Sequence, residues 1–547
     1  MRARARSGRR PARALAAACL LGLGLLPAAC GGSHTPGANV PRQRTFIDAV
    51  PALPDNLDSS GTPTPAALTI LPSWSSELVR PRGAAPGPDA RLPSPDDVVP
   101  YLATSWQIGS GGDITFQLRR GVRGATGDRF TAADVAWSIQ RDLAVSPLAP
   151  YLLALANIDS ADPVTVLGPY SVRVNVSAPS PFLLAVLASD SAAIYDRRLY
   201  LAHSKPSDPW GEQWGSTNSA SFGAYYVAQF TAGKRIILLA NPYAFDRPFY
   251  RRVEIKQMPD AYHRFEGLIS GALDHSTDLD WKDYTNALFY GSHSHVKTSI
   301  LQTGPTVESW FLNLSSGPLR KLAVRQALAL AIDRANLAGR VYAGYATPDV
   351  LAVPPIYGQA QPGGYDLAAA RRLLAAAGYP HGLTLRVYIS ADLGDGDEGE
   401  ELHVLSLQLA QAGISLRPIV VYNADELLAL EQAHEIPSII EDITPVLGGA
   451  AFLLIQDDDA QLDPASPAAD NGYADAVLTK LLARLRTTPA GPAASRLTAR
   501  AAAIVERDVP AVNLFELPVQ NVTRAGIAGY GAYAVPVTYY EYLHPDR

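Results

Sequence analysis

Segments patterned as β-strands alternate with segments patterned as helices from about residue 45 to the end of this chain. Residues 114–118 and 383–388 alternate apolar and polar side chains, as half-buried strands do. Residues 322–340 place apolar side chains on one face of a predicted helix, and residues 402–412 form another that stops at Gly413. Because this mixed order fills two long blocks, the sequence predicts an α/β protein with two large parts.

Two helix boundaries are marked by specific side chains. Thr131 precedes a helical segment and Asp134 follows it three residues later, a variant of the capping box. Asp366 stands where a helix N-cap is expected, and Gly378 stands where a left-handed residue ends the same helix. These residues predict helices that begin after 131 and after 366.

The length of the chain requires more than one hydrophobic core. A single core stops growing at about 250–300 residues, whereas this chain has 547. Its two cysteines are Cys19 and Cys30. If Cys19 leaves with a signal peptide, the mature protein has no internal disulfide and depends on packing alone.

The charge of the chain excludes one class of partner. The net charge is −6, and loss of the six arginines of residues 1–29 would take it to about −12. An acidic protein is poorly suited to nucleic acid. The same charge argues against electrostatic adhesion of the protein to anionic lipid. We therefore expect no nucleic-acid partner.

The first 29 residues have the pattern of an export signal. Residues 1–13 carry six arginines and no acidic residue, and the uncharged run 14–29 is shorter than a membrane-spanning helix. Small residues precede Cys30, and glycines follow it. We expect residues 1–29 to be a cleaved signal peptide, Cys30 to carry a lipid anchor, and residues 30–45 to be a flexible linker. An ordinary cleaved signal with an incidental cysteine is the alternative.

Several short blocks, in a fixed order, resemble one known family. In chain order they are YLATSW (101–106), FQLRRGV (116–122), FTAADV (130–135), ANPY (240–243), FLNL (311–314), VRQAL (324–328), AIDR (331–334), YD (365–366) and AGYP (377–380). Together they resemble the bacterial extracellular solute-binding proteins of the peptide and nickel type, family 5. The resemblance covers most of the chain after the predicted linker.

The resemblance implies a fold and a domain organisation. The fold is the two-lobed periplasmic-binding-protein fold of the large peptide-binding class (type II-like), an α/β fold with hinge strands between the lobes. Lobe I is expected at residues 46–304, with an inserted subdomain at about 90–215. Lobe II is expected at 305–504, and residues 505–547 return to lobe I.

The resemblance also implies a function. A protein of this family captures a peptide-like or other small organic ligand between its lobes and delivers it to the permease of an ABC importer. We expect such a receptor to be a monomer outside the cytoplasm, lipid-anchored on the periplasmic side or on the outer face of the cytoplasmic membrane.

Candidate ligand contacts lie in loops that the resemblance places at the cleft, because a clamp needs aromatic walls and polar anchors. They are Trp74, Asp280, Trp281, Trp310, Asn313 and Asp442. Trp74 and Trp310 could equally be core residues, and Asn313 could serve only backbone groups.

The two acidic candidates also have alternatives. Asp280 could be a solvated surface residue. Asp442 ends a segment patterned as a buried strand, so its charge needs a partner. That partner could be a cation on the ligand or an arginine of the protein such as Arg325.

The sequence contains no motif that demands an enzyme. A Gly-x-Ser-x-Gly elbow and a glycine-rich phosphate loop are both missing. We expect no catalytic residues, no metal site and no cofactor. The family's peptide binders usually have a tryptophan and an acidic, proline-containing loop after the strand near 440, whereas residues 441–449 here read EDITPVLGG. A lipoprotein that senses ligands or acts as a scaffold, and has lost peptide capture, is therefore the alternative function.

Lipidation of Cys30 can be tested directly. Mass spectrometry of the amino-terminal peptide from membrane-extracted protein should show a chain that begins at Cys30 and carries diacylglycerol on sulfur. A Cys30→Ser variant should be released from the membrane fraction. A peptide with an unmodified Cys30 would contradict the lipoprotein hypothesis.

Overall fold

The structure is a computed structural model of the whole chain. It describes residues 41–58, 69–83, 97–146, 148–277, 279–291, 296–349, 364–390, 398–421, 426–427, 429–430, 433, 435–443, 447, 451–452, 454–455, 472–531, 533 and 537–546. The predicted signal peptide, Cys30 and the linker up to residue 40 lie outside these residues.

The described residues form strands and helices in alternation. The strands are β1 Thr45–Val50, β2 Val79–Pro81, β3 Val98–Pro100, β4 Ala103–Ile108, β5 Ile114–Leu118, β6 Val164–Gly168, β7 Ser171–Val174, β8 Tyr225–Thr231, β9 Arg235–Ala240, β10 Arg252–Gln257, β11 His275–Ser276, β12 Val296–Leu312, β13 Thr347–Pro348, β14 Leu383–Ser390, β15 Ile414–Val421, β16 Ser438–Ile443, β17 Ala511–Arg524, β18 Ile527–Ala528 and β19 His544–Pro545. The helices are α1 Ala132–Val145, α2 Ala149–Leu155, α3 Leu183–Leu187, α4 Arg197–His203, α5 Glu212–Gly215, α6 Ala261–Ile269, α7 Trp281–Gly291, α8 Leu322–Ala331, α9 Arg334–Val341, α10 Leu367–Ala376, α11 Glu398–Ala412, α12 Ala476–Leu485 and α13 Pro492–Asp508.

One long sheet runs through the protein in the order β15-β14-β16-β12-β17-β11-β1-β10-β9-β8, and β13 pairs with β17. Its two central strands are long: β12 has 17 residues and β17 has 14. They are antiparallel, with a register shift between Leu301 and Thr306. We call β12 and β17 the crossing strands, because they join β11, β1, β10, β9 and β8 (the first section) to β16, β14 and β15 (the second section).

A separate four-stranded sheet, β4-β5-β7-β6, packs beside the first section. Its buried side chains include Phe116 and Val172, and helix α1 adds Val135 and Ile139 to the same cluster. Helices α12 and α13, which come much later in the chain, share this hydrophobic cluster. Segments far apart in sequence therefore form one core.

The long sheet carries a hydrophobic cluster on each section. Phe46, Tyr225 and Leu238 belong to the cluster of the first section. A larger cluster covers the helix-bearing face of the second section, reaches the first section at Ala49 of β1, and includes Trp310 from β12 and Leu328 from α8. Of the helices within the described residues, none is both long and apolar enough to cross a membrane.

The caps predicted from sequence are confirmed. The backbone N–H of Thr131 donates to Asp134 Oδ2 over 2.8 Å, and a capping box opens α1. The N–H of Ala369 donates to Asp366 at the start of α10, and Gly378 has φ +92° after that helix ends. These local signals depend only on neighbours in sequence, which is why the sequence predicts them well.

The single helix predicted for residues 322–340 is wrong. The structure has two helices, α8 and α9, separated at Ile332, which is extended with φ −99° and ψ 116°. Asp333 accepts a hydrogen bond from the N–H of Asn336 over 3.1 Å and so caps α9. An aspartate inside a helical pattern offers the backbone this alternative partner, and the periodicity of the apolar residues does not reveal it.

A buried arginine ties the C-terminal segment to the first third of the chain. Arg80, on β2, donates its Nε to Glu77 over 3.1 Å and its Nη1 to Glu541. Its guanidinium lies 3.5 Å from the ring centre of Tyr101 and 4.6 Å from that of Tyr539. Burial makes this network expensive to break, because each remaining charge would lack its partner.

We predict that Arg80→Met lowers the free energy of unfolding by about 3–5 kcal/mol, because it leaves two buried carboxylates without their cation. Urea unfolding checks this value. The matched control is Arg82→Met, which removes the exposed pair of Arg82 with Asp97 at 2.8 Å and should cost less than about 1 kcal/mol. Equal losses of unfolding free energy in the two variants would show that the buried network stabilises the protein no more than the exposed pair does.

Candidate functional site

The parallel strands of the first section end at the crossing strands. β1 runs parallel to β10 and to β11, and β11 is antiparallel to β17, with His275 opposite Thr523 and Ser276 opposite Val522. β11 therefore advances toward the register shift in the middle of the crossing strands. The carboxyl ends of all three strands face the crossing.

The parallel strands of the second section approach the crossing from the other side. β16 is antiparallel to β12, with Ser438 opposite Leu312 and Ile443 opposite Val307. β14 runs parallel to both β15 and β16. Their carboxyl ends therefore also face the crossing, toward those of the first section.

Ligands of α/β proteins bind outside the carboxyl ends of the strands. Here two sets of carboxyl ends face each other across β12 and β17. We call the region between them the crossing crevice. The segments that follow β1, β10 and β11 border it from the first section. Residues 391–397, 422–425 and 444–446, which follow β14, β15 and β16, lie outside the described residues.

Trp281 begins helix α7, five residues after Ser276 at the end of β11. Its indole stacks on Tyr345, with ring centres 5.4 Å apart and planes at 22°. Tyr342 and Tyr284 meet it edge-on, at 6.1 and 5.5 Å. Tyr342 and Tyr345 follow helix α9, which precedes the second section in the chain. This aromatic cluster therefore connects the two parts of the protein beside the crossing.

Acidic side chains accompany the aromatic cluster. The hydroxyl of Tyr342 lies 2.7 Å from Glu308 Oε2 and 3.0 Å from Glu401 Oε2. Glu308 is on β12, just past the register shift, and Glu516 on β17 is fully buried. Asp349, after β13, is also buried. The sheet next to the crevice is therefore rich in carboxylates.

One buried cation belongs to this region. Arg334 donates its Nε to the carbonyl of Asn513 on β17 over 2.7 Å and its Nη1 to the carbonyl of Ala329 over 3.0 Å. Burial lowers the pKa of Arg334 to about 10, against the opposing effect of the Asp349 carboxylate. At neutral pH the guanidinium remains charged and offsets part of the local negative charge.

The structure places Asp280 and the backbone of Asp442 beside the crevice, whereas Trp281 is 4% exposed and packs in the same hydrophobic cluster as Trp310. Asp280 precedes Trp281 at the start of α7 and is partly buried. Asp442 lies opposite Glu308 in the register of β16 with β12, next to the carboxyl end of β16. The surroundings of the Asp442 side chain lie outside the described residues.

Arg325, the arginine considered as a partner for Asp442, is bound to backbone groups. It donates to the carbonyls of Asp508, Val509 and Leu319 over 2.6–3.0 Å. These bonds hold the end of α13 against α8.

The other three candidates lie farther from the crevice or beneath it. Trp74 is 2% exposed and donates its Nε1 to the carbonyl of Leu57 over 3.4 Å, under the segment that follows β1. Trp310 is fully buried in the cluster on the helix-bearing face of the second section. Asn313 follows β12 and donates to the carbonyl of Ile436 over 3.2 Å, near the amino end of β16. Asn313 thus lies at the sheet edge away from the crevice.

The two parts also meet away from the crossing strands. Phe182, before α3, touches Phe452 edge-on, with ring centres 6.4 Å apart. Arg486 donates its Nη2 to the carbonyl of Ala154 over 3.4 Å. Both contacts join residues of the region of the four-stranded sheet to residues that follow β16. The protein therefore has one set of contacts between its parts beside the crossing and another through Phe182.

Sequence reasoning missed Glu308, Tyr342 and Tyr345. Glu308 had a detectable signal, since an acidic residue inside an apolar strand costs free energy unless it has a partner. Tyr342 and Tyr345 follow a helix in a stretch without any distinctive pattern. Their role depends on the contact of the turn after α9 with Trp281 at the start of α7, which sequence spacing does not encode.

Residues 97–456 match the family described as bacterial extracellular solute-binding proteins, family 5. The chain belongs to this family. The resemblance inferred from the short sequence blocks is thereby confirmed, and the matched region includes β12, the second section and the four-stranded sheet.

Curated family 5 relatives match part of the chain. Heme-binding protein A of Haemophilus influenzae is 26% identical over 352 residues, which are 60% of this chain and 63% of that protein. Glutathione-binding protein GsiB of Escherichia coli (strain K12) is 24% identical over 323 residues, 57% of this chain and 59% of that protein. The chain thus matches about 60% of the length of these relatives.

Solved structures confirm the two-lobed periplasmic-binding-protein fold of the large peptide-binding class. DppA of Helicobacter pylori, in complex with the peptide STSA, has a TM-score of 0.78 and 20% identity, over 92% of this chain and 98% of its own. NikA of Staphylococcus aureus, in complex with Ni(L-His)2, has a TM-score of 0.72 and 17% identity, over 91% and 99%. AppA of Bacillus subtilis, in complex with a nonapeptide, has a TM-score of 0.75 and 17% identity, over 92% and 99%.

The bridge formed by Tyr342 between two carboxylates yields a stability prediction. Tyr342→Phe should lower the free energy of unfolding by about 2 kcal/mol, because it removes a buried hydroxyl whose single proton is donated to one of the two adjacent carboxyl groups. Tyr345→Phe is the matched control. It keeps the stacked ring on Trp281 and should change stability by less than about 0.5 kcal/mol.

The free energy of unfolding of both variants is measured by chemical denaturation. The slope of that free energy against denaturant concentration should be the same in both. If Tyr342→Phe were as stable as the parent protein, the hydroxyl would not be what holds the two carboxylates together.

Proposed function

We propose that this protein is the extracytoplasmic solute-binding receptor of an ABC importer. One observation carries the proposal: two sets of strand carboxyl ends face each other across a pair of long crossing strands. This arrangement suits a clamp in which one ligand touches both parts at once. Family membership supports the same function.

The ligand class is proposed from the chemistry of the crevice and from the names of similar proteins. The relatives are named for binding heme and glutathione, and solved neighbours contain peptides or a nickel–histidine complex. Beside the crevice of this chain, Asp280 adjoins the stacked rings of Trp281 and Tyr345, of which Tyr345 is half-buried and Trp281 is buried. A peptide-like or other small organic ligand with an apolar group and a positive charge fits these side chains.

Asp280, Trp281 and Asp442 are the proposed ligand contacts. Trp74, Trp310 and Asn313 are proposed to support the walls rather than to touch the ligand, because they lie beneath the crevice or away from it, whereas Trp281, although 4% exposed, adjoins Asp280 beside it. We retain the predicted division into lobe I (46–304, with residues from 505 onward) and lobe II (305–504).

Capture is proposed to work by closure of the lobes about the crossing strands, which would serve as the hinge. A ligand that touches both lobes binds the closed form more tightly, and this difference in affinity shifts the equilibrium toward closure. The hydrophobic contacts of the region of the four-stranded sheet with α12, α13 and Phe452, the Phe182–Phe452 pair among them, would join the two lobes in this structure and separate when the lobes open. The closed form would then dock on the permease.

The remaining features of the proposal concern the cell. We propose a monomer held at the membrane by lipid on Cys30, outside the cytoplasm, with a binding role and no catalysis. Among the residues that the structure describes, no group of three or more histidine, cysteine or acidic residues could hold a metal ion.

The alternative is a sensing or scaffolding lipoprotein that has lost peptide capture. The sequence of residues 441–449 favours it, since it departs from the acidic loop of the family's peptide binders. The two proposals differ in whether the purified protein binds a solute.

Ligand capture is tested on the mature domain, residues 31–547. Melting temperature and tryptophan fluorescence are recorded against pools of peptides, sugars and metal chelates, and a saturable ligand should raise the melting temperature by mass action. Trp281→Phe should weaken binding by about tenfold, because a smaller ring packs less well against Tyr345 and holds Asp280 less firmly beside the ligand. The matched control Trp106→Phe changes a half-buried ring of the four-stranded sheet and should leave affinity unchanged.

The sensing or scaffolding role would be favoured if no pool changed the melting temperature or the fluorescence. The same outcome would require that natively purified protein release no solute that binds. Equal weakening by the two tryptophan variants would remove Trp281 from the site.

A further inference from the structure

A group of arginines lies at the edge of the first section opposite the crossing crevice. β1 and β10 are parallel, with Thr45 opposite Arg252, so the segments before these strands emerge at the same edge. Arg44 donates its Nη1 to the carbonyl of Phe249 over 3.0 Å, and its guanidinium lies 4.0 Å from the ring centre of Phe249. The backbone N–H of Arg251 donates to the carbonyl of Arg44 over 2.7 Å.

A second arginine-bearing segment packs onto the first. Asn241 donates its Nδ2 to the carbonyl of Arg123 over 2.9 Å. The guanidinium of Arg119 lies 4.5 Å from the ring centre of Phe245, and that of Arg123 lies 6.0 Å from Tyr243. The turn 119–129 and the loop 241–251 therefore form one continuous surface.

We call this surface the arginine edge. It consists of Arg44, Arg119, Arg123, Arg129, Arg247 and Arg251. The same segments contain the acidic residues Asp128 and Asp246, and Asp128 lies 3.7 Å from Arg198. Two aromatic side chains lie among the arginines, with Tyr243 49% exposed and Phe245 36% exposed.

The local charge of this edge is opposite to the charge of the whole chain, which is −6. Salt screens charges beyond about 10 Å at 0.1 M ionic strength. A flat anionic surface that touches the arginine edge therefore interacts mainly with its arginines, and hardly with distant carboxylates. The expectation against adhesion to anionic lipid rested on the total charge and does not apply to this edge.

We propose that the arginine edge binds the anionic headgroups of the membrane that carries the protein. Guanidinium groups bind phosphate with paired hydrogen bonds. Exposed aromatic rings suit the boundary between headgroups and acyl chains. A protein partner would also meet arginines, but these two chemistries together favour a lipid surface.

The position of the predicted anchor supports the same partner. Ten residues separate Cys30 from Pro41, where the described chain begins. Ten residues span at most about 36 Å. Arg44 comes three residues after Pro41 and lies at the edge. A lipid on Cys30 would therefore keep the arginine edge near the headgroups. This edge lies opposite the crevice, and the crevice would remain accessible while the protein rests on the membrane.

The test uses lipid-free protein, residues 31–547, so that the anchor makes no contribution. Co-sedimentation is measured with vesicles of phosphatidylcholine alone and of phosphatidylcholine mixed with phosphatidylglycerol. The proposal predicts binding only to the anionic vesicles, and weaker binding at high salt.

The test variant is Arg44→Gln, Arg129→Gln and Arg247→Gln combined, three exposed arginines of the edge. It should lower vesicle binding by at least about tenfold, since each arginine near the surface is worth about fivefold. The matched control combines Arg372→Gln, Arg496→Gln and Arg500→Gln, which are exposed elsewhere and give the same change in net charge. It should stay within about twofold of the parent protein.

Absence of binding to anionic vesicles would overturn the proposal, and so would equal losses in the two triple variants, because net charge alone would then explain them. Binding that is as strong to pure phosphatidylcholine would also overturn it. Ligand affinity is measured in the same variants and should not change. The proposal rests on the surface and on the predicted anchor, so its failure would leave the solute-binding function intact.

Discussion

The hydrogen-bonded pairing of β12 with β17 is the constraint on which the rest of the structure depends. These two strands are the only link in the strand order between the first and second sections of the long sheet, within the part of the chain that the structure describes. Their antiparallel pairing fixes the direction of β11 on one side and of β16 on the other. Once those directions are set, two groups of carboxyl ends must face each other, and the crevice follows from the backbone alone.

The side chains around the crossing add chemistry to that geometry. Trp281 and Tyr345 stack across the two parts, and Glu308 and Glu401 share the hydroxyl of Tyr342. The opposite edge of the first section has the reverse character, with arginines and exposed aromatic rings. The proposed ligand capture and the proposed membrane contact use opposite edges of the sheet, so they do not compete for the same side chains.

The sequence predicted the ends of some helices correctly, but it predicted one helix boundary and several site residues poorly. It predicted the caps at Thr131 and Asp366, because a cap depends on residues three positions apart. It failed at Asp333, where one aspartate divides a continuous apolar pattern into two helices. Among the candidate site residues it selected Trp281, which lies at the crevice, and also Asn313, which lies at the far edge. It did not select Glu308, Tyr342 or Tyr345. Residue type indicates that a side chain needs a partner, but not which edge of the sheet it occupies.

The sequence by itself determined the family, the α/β class, the need for several cores and the ends of individual helices. These properties follow from composition, periodicity and short ordered blocks, which act through neighbours along the chain. Only the tertiary structure decided that α12 and α13 join the core of the four-stranded sheet, that carboxylates gather beside the crossing, and that Arg44 meets the turn of Arg123 through the loop 241–251. Each of these results depends on contacts between segments far apart in sequence. These contacts stabilise the protein only after the sheet has brought the segments together.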